Sequence, residues 1–311
     1  MSIGEDLVEI TDGLRFPEGP IAMPDGSVVL VEIAAGRLTR VRADGSKEVI
    51  AIPGGGPNGA AIGPDGRCYL CNNGGMNFVE RDGILLPANC DADTPAGWIE
   101  AVDLATGAVE VLYRDCKGRP FSAPNDLVFD AHGGFWFTDH GKTRRHDRDL
   151  GSVFYALADG SGVQRVVGHL DGPNGIGLSP DGNTLYVAET HTGRVWAYDV
   201  VAPGQIQASP ERPAPWLQGR LLANPSGLHL FDSLAIDAHG NVVVASIPGT
   251  VESISPSGET LESLSMPDRF PTNVCFGGAD LQTGYVTLSG TGRLVARRWA
   301  RPGLALHYLN D

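Results

Sequence analysis

The sequence predicts an all-β fold, a six-bladed β-propeller of four-stranded antiparallel blades around a central channel. Two observations support this prediction. A polar residue, followed eight positions later by a turn glycine and then by an apolar run, occurs five times, and a sixth, looser copy follows at residues 271–284. Glycine (42 residues) and proline (22 residues) are frequent enough to separate many short strands. Repeats of about 50 residues with four strands each are typical of propellers, which leave few exposed sheet edges.

The repeats follow one another without a linker. Their predicted limits are 16–50, 57–113, 123–168, 173–217, 231–265 and 271–300. The second repeat carries a long insertion at 73–96, and the third carries a shorter one at 140–149. Either residues 7–10 or residues 304–308 would pair with the last blade and close the ring. We therefore predict one propeller domain over residues 1–311.

The polar residue of each copy is the main indication of function. In chain order these residues are Glu18, Asn58, Asn125, Asn174, Asp232 and Asn273. If each one begins the innermost strand of its blade, all six face the same end of the channel, which we call the mouth. Asn between Pro and Gly is ordinary turn chemistry, but Glu18 at the same position is not. Oxygen ligands without thiolates select a hard cation such as Ca²⁺, Mg²⁺ or Mn²⁺.

Further polar residues are expected at the mouth, because the second strand of each blade returns to it. These strands end at Glu32, Asn72, Asp139 and Glu189, and the connections that follow contain Asn73, His140 and His191. A single histidine on a loop is often an ordinary surface residue, yet these two are also candidates for proton transfer or substrate contact. The predicted substrate-binding residues are Asn58, Asn73, His140, His191 and Asn273.

Composition excludes several classes of function. The formal net charge of −14 argues against nucleic-acid binding, which requires a basic surface. No apolar run approaches the roughly 20 residues that span a bilayer, and the N-terminus does not resemble a signal peptide. Five cysteines, an odd number, suggest reduced thiols and a cytoplasmic location. Cys68 and Cys71 are predicted to face opposite sides of one strand as buried thiols.

Several motifs resemble the gluconolactonase / senescence-marker-protein (regucalcin) family over about residues 14–290. They are Phe-Pro-Glu-Gly-Pro, Ala-Pro-Asn-Asp, Phe-Trp-Phe-Thr-Asp, Pro-Asn-Gly-Ile-Gly-Leu-Ser-Pro-Asp-Gly and Asp-Ser-Leu-Ala-Ile-Asp. The resemblance implies a six-bladed propeller with one divalent cation at the channel mouth, and it implies lactone hydrolysis. The family's cation ligands match Glu18, Asn125, Asn174 and Asp232.

The sequence departs from the family's pattern at two positions. Animal sugar lactonases have an arginine two residues before the third-blade asparagine, where this chain has Ala123. The third-blade motif usually continues Thr-Asp-Pro, whereas here His140 follows Asp139. The insertion at 73–96, which is expected to form a lid or wall at the mouth, is rich in apolar residues. Together with Ala123 it indicates a lactone that is more apolar than a sugar.

We predict a cytoplasmic, metal-dependent lactone hydrolase that holds one divalent cation at Glu18, Asn125, Asn174 and Asp232. Ca²⁺ is the first candidate, and Zn²⁺, Mn²⁺ and Mg²⁺ are alternatives. Asp232 is the predicted catalytic base, because of the four ligands only the two carboxylates accept a proton, and the ring of Phe231 is expected to shield Asp232 from water.

Alternative functions are organophosphate or aryl ester hydrolysis at the same site, and a calcium-binding or interaction propeller without catalysis. The expected partner is a small-molecule lactone or ester. Neither nucleic acid nor a membrane is expected as a partner, and self-association into a homo-oligomer is left open.

Overall fold

The computed structural model describes residues 6–310, and nearly all of its regular structure is antiparallel β-sheet. Six sheets surround a central channel as the blades of a six-bladed β-propeller. In the described residues, helical structure is limited to two short 3₁₀ turns, Ile33–Ala35 and Thr190–Thr192. The fold predicted from the repeats is therefore confirmed.

The first three blades follow the predicted repeats closely. From the channel outward, blade 1 contains Pro17–Ala22, Val28–Glu32, Arg37–Val41 and Lys47–Ala51. Blade 2 contains Pro57–Ile62, Cys68–Asn72, Trp98–Val102 and Val109–Tyr113. Blade 3 contains Pro124–Phe129, Gly134–Asp139, Gly151–Leu157 and Val163–Leu170.

The last three blades have the same order of strands. Blade 4 contains Pro173–Leu178, Thr184–Glu189, Arg194–Ala202 and Gln205–Gln207, and Arg220–Ala223 also pairs with its third strand. Blade 5 contains Leu230–Ile236, Val242–Ile247, Thr250–Ile254 and Thr260–Ser265. Blade 6 contains Pro271–Gly277, Thr283–Leu288, Arg293–Arg298 and the N-terminal strand Val8–Thr11.

The N-terminal strand closes the ring. Val8–Thr11 pairs antiparallel with Arg293–Arg298, with Val8 opposite Ala296. Of the two closures that the sequence left open, the N-terminal one is therefore confirmed. The C-terminal segment crosses the end of the channel opposite the mouth, where the Leu304 N–H donates to the carbonyl of Ile236 at 2.9 Å.

Local turn chemistry joins the first two strands of each blade. In blade 1 the Asp25 carboxylate accepts the N–H and the hydroxyl of Ser27, at 2.9 and 2.6 Å, and Gly26 has a φ of 81°. In the two copies that read Ala-His-Gly, Asp130 and Asp237, which directly precede the turn, accept backbone N–H groups instead. The turn residues therefore set the length of each inner hairpin, and with it the fixed offset of the polar residue.

Two small hairpins lie outside the blades. One is formed by Asn77–Arg81 and Ile84–Ala88 within the long insertion, and the other by Asp115–Cys116 and Arg119–Pro120. The core is divided among clusters that lie between neighbouring blades. Cys68 belongs to the cluster with residues of blade 1 and Cys71 to the cluster with residues of blade 3, so the two buried thiols face opposite sides of their strand as predicted.

The channel contains a cavity of about 650 Å³. Its walls are mostly apolar residues of the innermost strands, and residues 304–307 and 309 line it at the far end. On the mouth side it reaches Asp126 and Asn273. The polar ring therefore separates this apolar cavity from the mouth.

Candidate functional site

The six predicted polar residues form a ring at one end of the channel. Each lies at the second or third position of the innermost strand of its blade. The pairing of that strand with its neighbour is irregular at or beside this residue in all six blades. Such irregularities commonly turn a side chain toward a functional site.

Neighbouring members of the ring are in close contact. The Asn273 side-chain amide donates to Glu18 Oε2 at 2.7 Å, which joins blades 6 and 1. A methyl group on Gly19 would lie 2.5 Å from the carbonyl oxygen of Asn58, and one on Gly59 would lie 2.5 Å from that of Asn125. The glycines that follow the polar residues are therefore required for the inner strands to pack this closely.

Three acidic residues of the inner strands, Glu18, Asp126 and Asp232, are near enough for the charge of Glu18 to act on the other two. Burial raises the pKa of Glu18, and burial together with the charge of Glu18 raises the pKa of Asp232. The same two causes raise the pKa of Asp126 to about 8. Buried carboxylates that repel one another favour either protonation or a bound cation.

Asp126 was missed by the sequence analysis, although the sequence contains a signal for it. Glycine follows the polar residue in blades 1, 2 and 4, whereas Asp126 follows Asn125 in blade 3. Its carboxylate accepts the N–H of Leu127 at 2.9 Å. An ionisable residue in place of a packing glycine was therefore a sign of a role in the site.

The amide residues leave oxygen atoms available at the same place. Asn174 donates through Nδ2 to the Thr190 hydroxyl at 3.2 Å, and its Oδ1 accepts only a long hydrogen bond, 3.3 Å, from Ser233. Asn125 Oδ1 is buried and has no hydrogen-bond partner in the structure. Buried oxygen atoms in proteins normally accept a hydrogen bond or bind an ion.

These observations test whether the residues fit a divalent cation. In residues 6–310 no three side chains of His, Cys, Asp or Glu form a ready-made metal centre. The predicted set instead mixes two carboxylates, Glu18 and Asp232, with two amides, Asn125 and Asn174. Buried negative charge and an oxygen atom without a partner are the donor properties that a hard cation requires, so the residues fit.

Asp232 differs from Glu18 in its access to solvent. Glu18 is only 2% exposed, whereas Asp232 is half-buried at the mouth. The expected shielding by Phe231 is wrong in its geometry, because that ring is buried in the core between blades 4 and 5. The raised pKa of Asp232 therefore comes from its own burial and from the charge of Glu18.

His140 and His191 meet at the mouth between blades 3 and 4. Their rings lie edge to face, with centroids 5.2 Å apart. His140 Nδ1 is 3.0 Å from the carbonyl of Gly141, which assigns the proton to Nδ1 and leaves Nε2 as an acceptor. Burial lowers the pKa of His140, and burial together with the neighbouring His140 lowers the pKa of His191 to about 4. Both rings are therefore neutral near pH 7.

The backbone makes room for this pair of histidines. Gly172 has a φ of 73°, and a methyl group there would lie 2.8 Å from His191 Cδ2 and 3.0 Å from His140 Nε2. Two residues later the chain reaches Asn174. The pair therefore lies directly beside one of the predicted cation ligands.

The long insertion reaches the opposite side of the mouth. The Leu85 N–H donates to the carbonyl of Gly290 in blade 6 at 2.8 Å, and the rings of Phe78 and Phe16 lie 5.0 Å apart. Its apolar side chains Met76, Phe78 and Leu85 pack against blade 1. The insertion thus forms a wall at blades 1 and 6, with these side chains packed on blade 1, and the preference for an apolar lactone stays a prediction. A role in substrate selection stays a prediction.

The polar residues at the ends of the second strands have a different role from the one expected. They anchor the backbone that leads into their own inner strand, at distances of 2.6–2.9 Å: Arg15 N–H to Glu32, Gly56 N–H to Asn72, Ala123 N–H to Asp139 and Asp171 N–H to Glu189. These four side chains therefore support the ring rather than present free groups to a substrate.

Asn73 likewise forms hydrogen bonds within the protein. It is 6% exposed, and its Oδ1 accepts the N–H of Gly75 at 2.8 Å. The buried Lys142 donates to the carbonyls of Asn73, Pro95 and Ser122 at 2.7–2.8 Å. Lys142 thereby fastens both ends of the insertion to blade 3, and contact of Asn73 with substrate stays a prediction.

No helix in the described part of the chain is long and apolar enough to cross a membrane. Comparison with known proteins shows several relatives of the whole fold. The chain is 26% identical to a gluconolactonase of Zymomonas mobilis, over 93% of this chain and 80% of the relative. It is 27% identical to a diisopropyl-fluorophosphatase of Loligo vulgaris, over 70% of this chain and 73% of the relative.

A solved structure with the same fold is a calcium-binding protein, regucalcin, from Agrobacterium tumefaciens. It has a TM-score of 0.72 and 19% identity, and the match covers 98% of each chain. The sequence signature described as SMP-30/Gluconolactonase/LRE-like region matches residues 16–290. The chain therefore belongs to the SMP-30/gluconolactonase/LRE-like family, whose named relatives support hydrolysis of lactones.

Proposed function

We propose that the chain is a divalent-metal-dependent lactonase whose active site is the ring at the channel mouth. The observation that carries the proposal is the group of buried acids beside Asn125 Oδ1, a buried oxygen without a partner. Glu18, Asn125, Asn174 and Asp232 would hold the cation. Ca²⁺ is the first candidate, because the ligands are all oxygen atoms and because a structural neighbour is described as calcium-binding.

The bound cation would supply positive charge that polarises the lactone carbonyl and stabilises the developing oxyanion. Asp232 is the base, because it is the carboxylate of this set that is less completely buried at the mouth than Glu18. It accepts a proton from the attacking water as the water oxygen bonds to the carbonyl carbon. The ring C–O bond then breaks, and Asp232 returns the proton to the alkoxide, which gives the hydroxy acid.

The remaining ring members orient the substrate. Asn273 holds Glu18 in place through its hydrogen bond, and Asn58, on the innermost strand of blade 2, would bind the substrate or a water. His140 and His191, both neutral at pH 7, offer hydrogen bonds to an uncharged substrate at the other side of the mouth. This arrangement favours a neutral lactone over an anionic one.

The test is a panel of lactones assayed with metal-stripped protein and with single metals added back. Hydrolysis should be lost with chelator and should return with Ca²⁺, or with Zn²⁺, Mn²⁺ or Mg²⁺. Turnover that persists in metal-stripped protein would contradict the proposal. A fluorophosphate and an aryl ester belong in the same panel, because the similarity to diisopropyl-fluorophosphatase favours them as a second candidate class.

A further inference from the structure

Phe16 has a backbone conformation that a bulky residue rarely adopts. Its φ is 57°, in the left-handed region, where a Cβ atom makes the conformation unfavourable. Residues in such conformations persist only where their surroundings enforce them, and they are concentrated at functional sites. Phe16 lies two residues before Glu18, which suggests that its conformation serves the site.

The connection from Phe16 to Glu18 is short and stiff. Pro17 lies between them, and its ring fixes its own φ. The carbonyl of Pro17 accepts a hydrogen bond from the Ser289 hydroxyl of blade 6. The direction in which the chain leaves Phe16 therefore determines where Glu18 enters the ring.

The side chain of Phe16 is enclosed by two other rings. Phe78 of the insertion lies 5.0 Å from it, and Phe270 of blade 6 lies 6.5 Å from it. Phe270 precedes Asn273 by three residues, and Asn273 donates to Glu18. The three rings thus pack beside the hydrogen bond that joins the last blade to the first.

The hairpin that contributes Phe78 is only lightly attached. In its first strand, Asn77–Arg81, every residue except Phe78 is exposed. Leu85 is the buried residue of the second strand, and its N–H is bonded to Gly290. A segment with so few buried contacts opens more easily than the blades. A single substitution at Phe78 should therefore be enough to weaken the contact between the hairpin and Phe16.

We propose that Phe16 is a positioning residue for Glu18, and that the 77–88 hairpin, through Phe78, holds Phe16 in the conformation this requires. The proposal rests on the proposed function in one respect, the binding of a cation by Glu18. Movement of the hairpin is thereby coupled to the cation site, although the hairpin itself contributes no ligand.

The test compares Phe78→Ala with Val79→Ala, a neighbouring substitution on the solvent face of the same strand, where Val79 is 49% exposed. Calorimetric titration with Ca²⁺ should show binding about 10–100-fold weaker in Phe78→Ala, the range typical when a residue that supports a ligand is lost. Val79→Ala should bind as the unmodified protein does, and Phe78→Leu should recover most of the affinity. Unchanged affinity in Phe78→Ala would overturn the proposal.

Hydrogen exchange in cation-free protein separates this proposal from the proposed function. The Gly19 N–H donates to Glu18 Oε2 at 2.7 Å, so its exchange reports on the position of Glu18. Exchange in Pro17–Ala22 should be faster in Phe78→Ala but not in Val79→Ala. If the unmodified protein binds no divalent cation, the proposed function fails, and equal exchange in the two variants would then overturn the positioning role as well.

Discussion

Asn273 and Glu18, 255 residues apart in the chain, are joined by a hydrogen bond of 2.7 Å from Asn273 Nδ2 to Glu18 Oε2. This bond crosses the junction where the last blade meets the first. It also stabilises the charged form of Glu18, against the larger opposing effect of burial. A single hydrogen bond therefore both joins the last blade of the propeller to the first and positions one candidate ligand.

Replacing Glu18 by Gln should weaken cation binding by at least about 10-fold, since even residues behind the ligands commonly contribute that much. The amide keeps the shape of the side chain but removes one of two negative charges from the set. Calorimetric titration with Ca²⁺ measures the effect, with Glu110→Gln on an exposed outer strand as the control. Equal affinity in both variants would remove Glu18 from the ligand set.

Replacing Asp232 by Asn should lower kcat by about 10²–10⁴-fold at saturating metal, the usual contribution of a general base. The substitution retains an oxygen ligand but removes the proton acceptor and one negative charge, and saturating metal compensates for the weaker cation binding that the lost charge causes. Steady-state assays of metal-saturated protein check this result, and Asp159→Asn on an exposed turn is the control. A variant with bound metal and near-normal kcat would transfer the role of base to His140, His191 or a metal-bound hydroxide.

Cation-free protein should lose stability as the pH rises. Asp126 has its pKa raised from 3.8 to about 8 in the folded state, so the folded protein binds more protons than the unfolded chain within that range. Protonated Asp126 contributes to the stability of the folded state. This contribution is fully present below the ordinary carboxyl pKa and is lost as the pH rises through about 8. Glu18 and Asp232 act in the same direction.

Melting temperatures measured across this range in chelator should therefore fall with rising pH, and the fall should be smaller in Asp126→Asn. Added Ca²⁺ should restore most stability at the upper end of the range, because it offsets the repulsion between the ionised acids. The same slope in Asp126→Asn as in the unmodified protein would show that Asp126 is not responsible.

Replacing His140 by Ala should change substrate preference without changing cation affinity. The loss of one hydrogen bond to a substrate hydroxyl corresponds to about a 2–10-fold decrease in kcat/KM. A hydroxylated lactone should therefore suffer more than an unsubstituted aliphatic lactone of the same ring size. His132→Ala, at an exposed turn on the far side of the blade, is the matched control. Equal decreases for both lactones would argue against a selecting role.

The ring could be predicted because a local rule generates it. A turn of fixed length places a polar residue at a constant offset, so that Glu18, Asn125 and Asp232 were identified together from spacing. Asp126 was missed, because it occupies the place of a packing glycine and lies outside the repeated position. Its role depends on the charge of Glu18 across the channel, which no spacing along the chain reveals.

The surroundings of the ring were harder to predict, because they depend on contacts between distant segments. The apolar residues of the insertion suggested a substrate pocket, yet Phe78 packs on Phe16, 62 positions earlier in the chain. Glu32 was expected to face the mouth, but its carboxylate accepts the N–H of Arg15 and the hydroxyl of Thr39 instead. A carboxylate that binds backbone and one that binds a ligand look identical in a sequence.

Closure by Val8–Thr11 has a consequence for synthesis on the ribosome. Val8–Thr11 stays unpaired until Arg293–Arg298, its partner strand in blade 6, has emerged from the ribosome. Glu18 likewise lacks its donor until Asn273 has been made. Contacts between the two ends of a chain form late and slowly. The proposed cation site would therefore be among the last features to be completed, and a nascent chain that stops before blade 6 would have five blades and an incomplete polar ring.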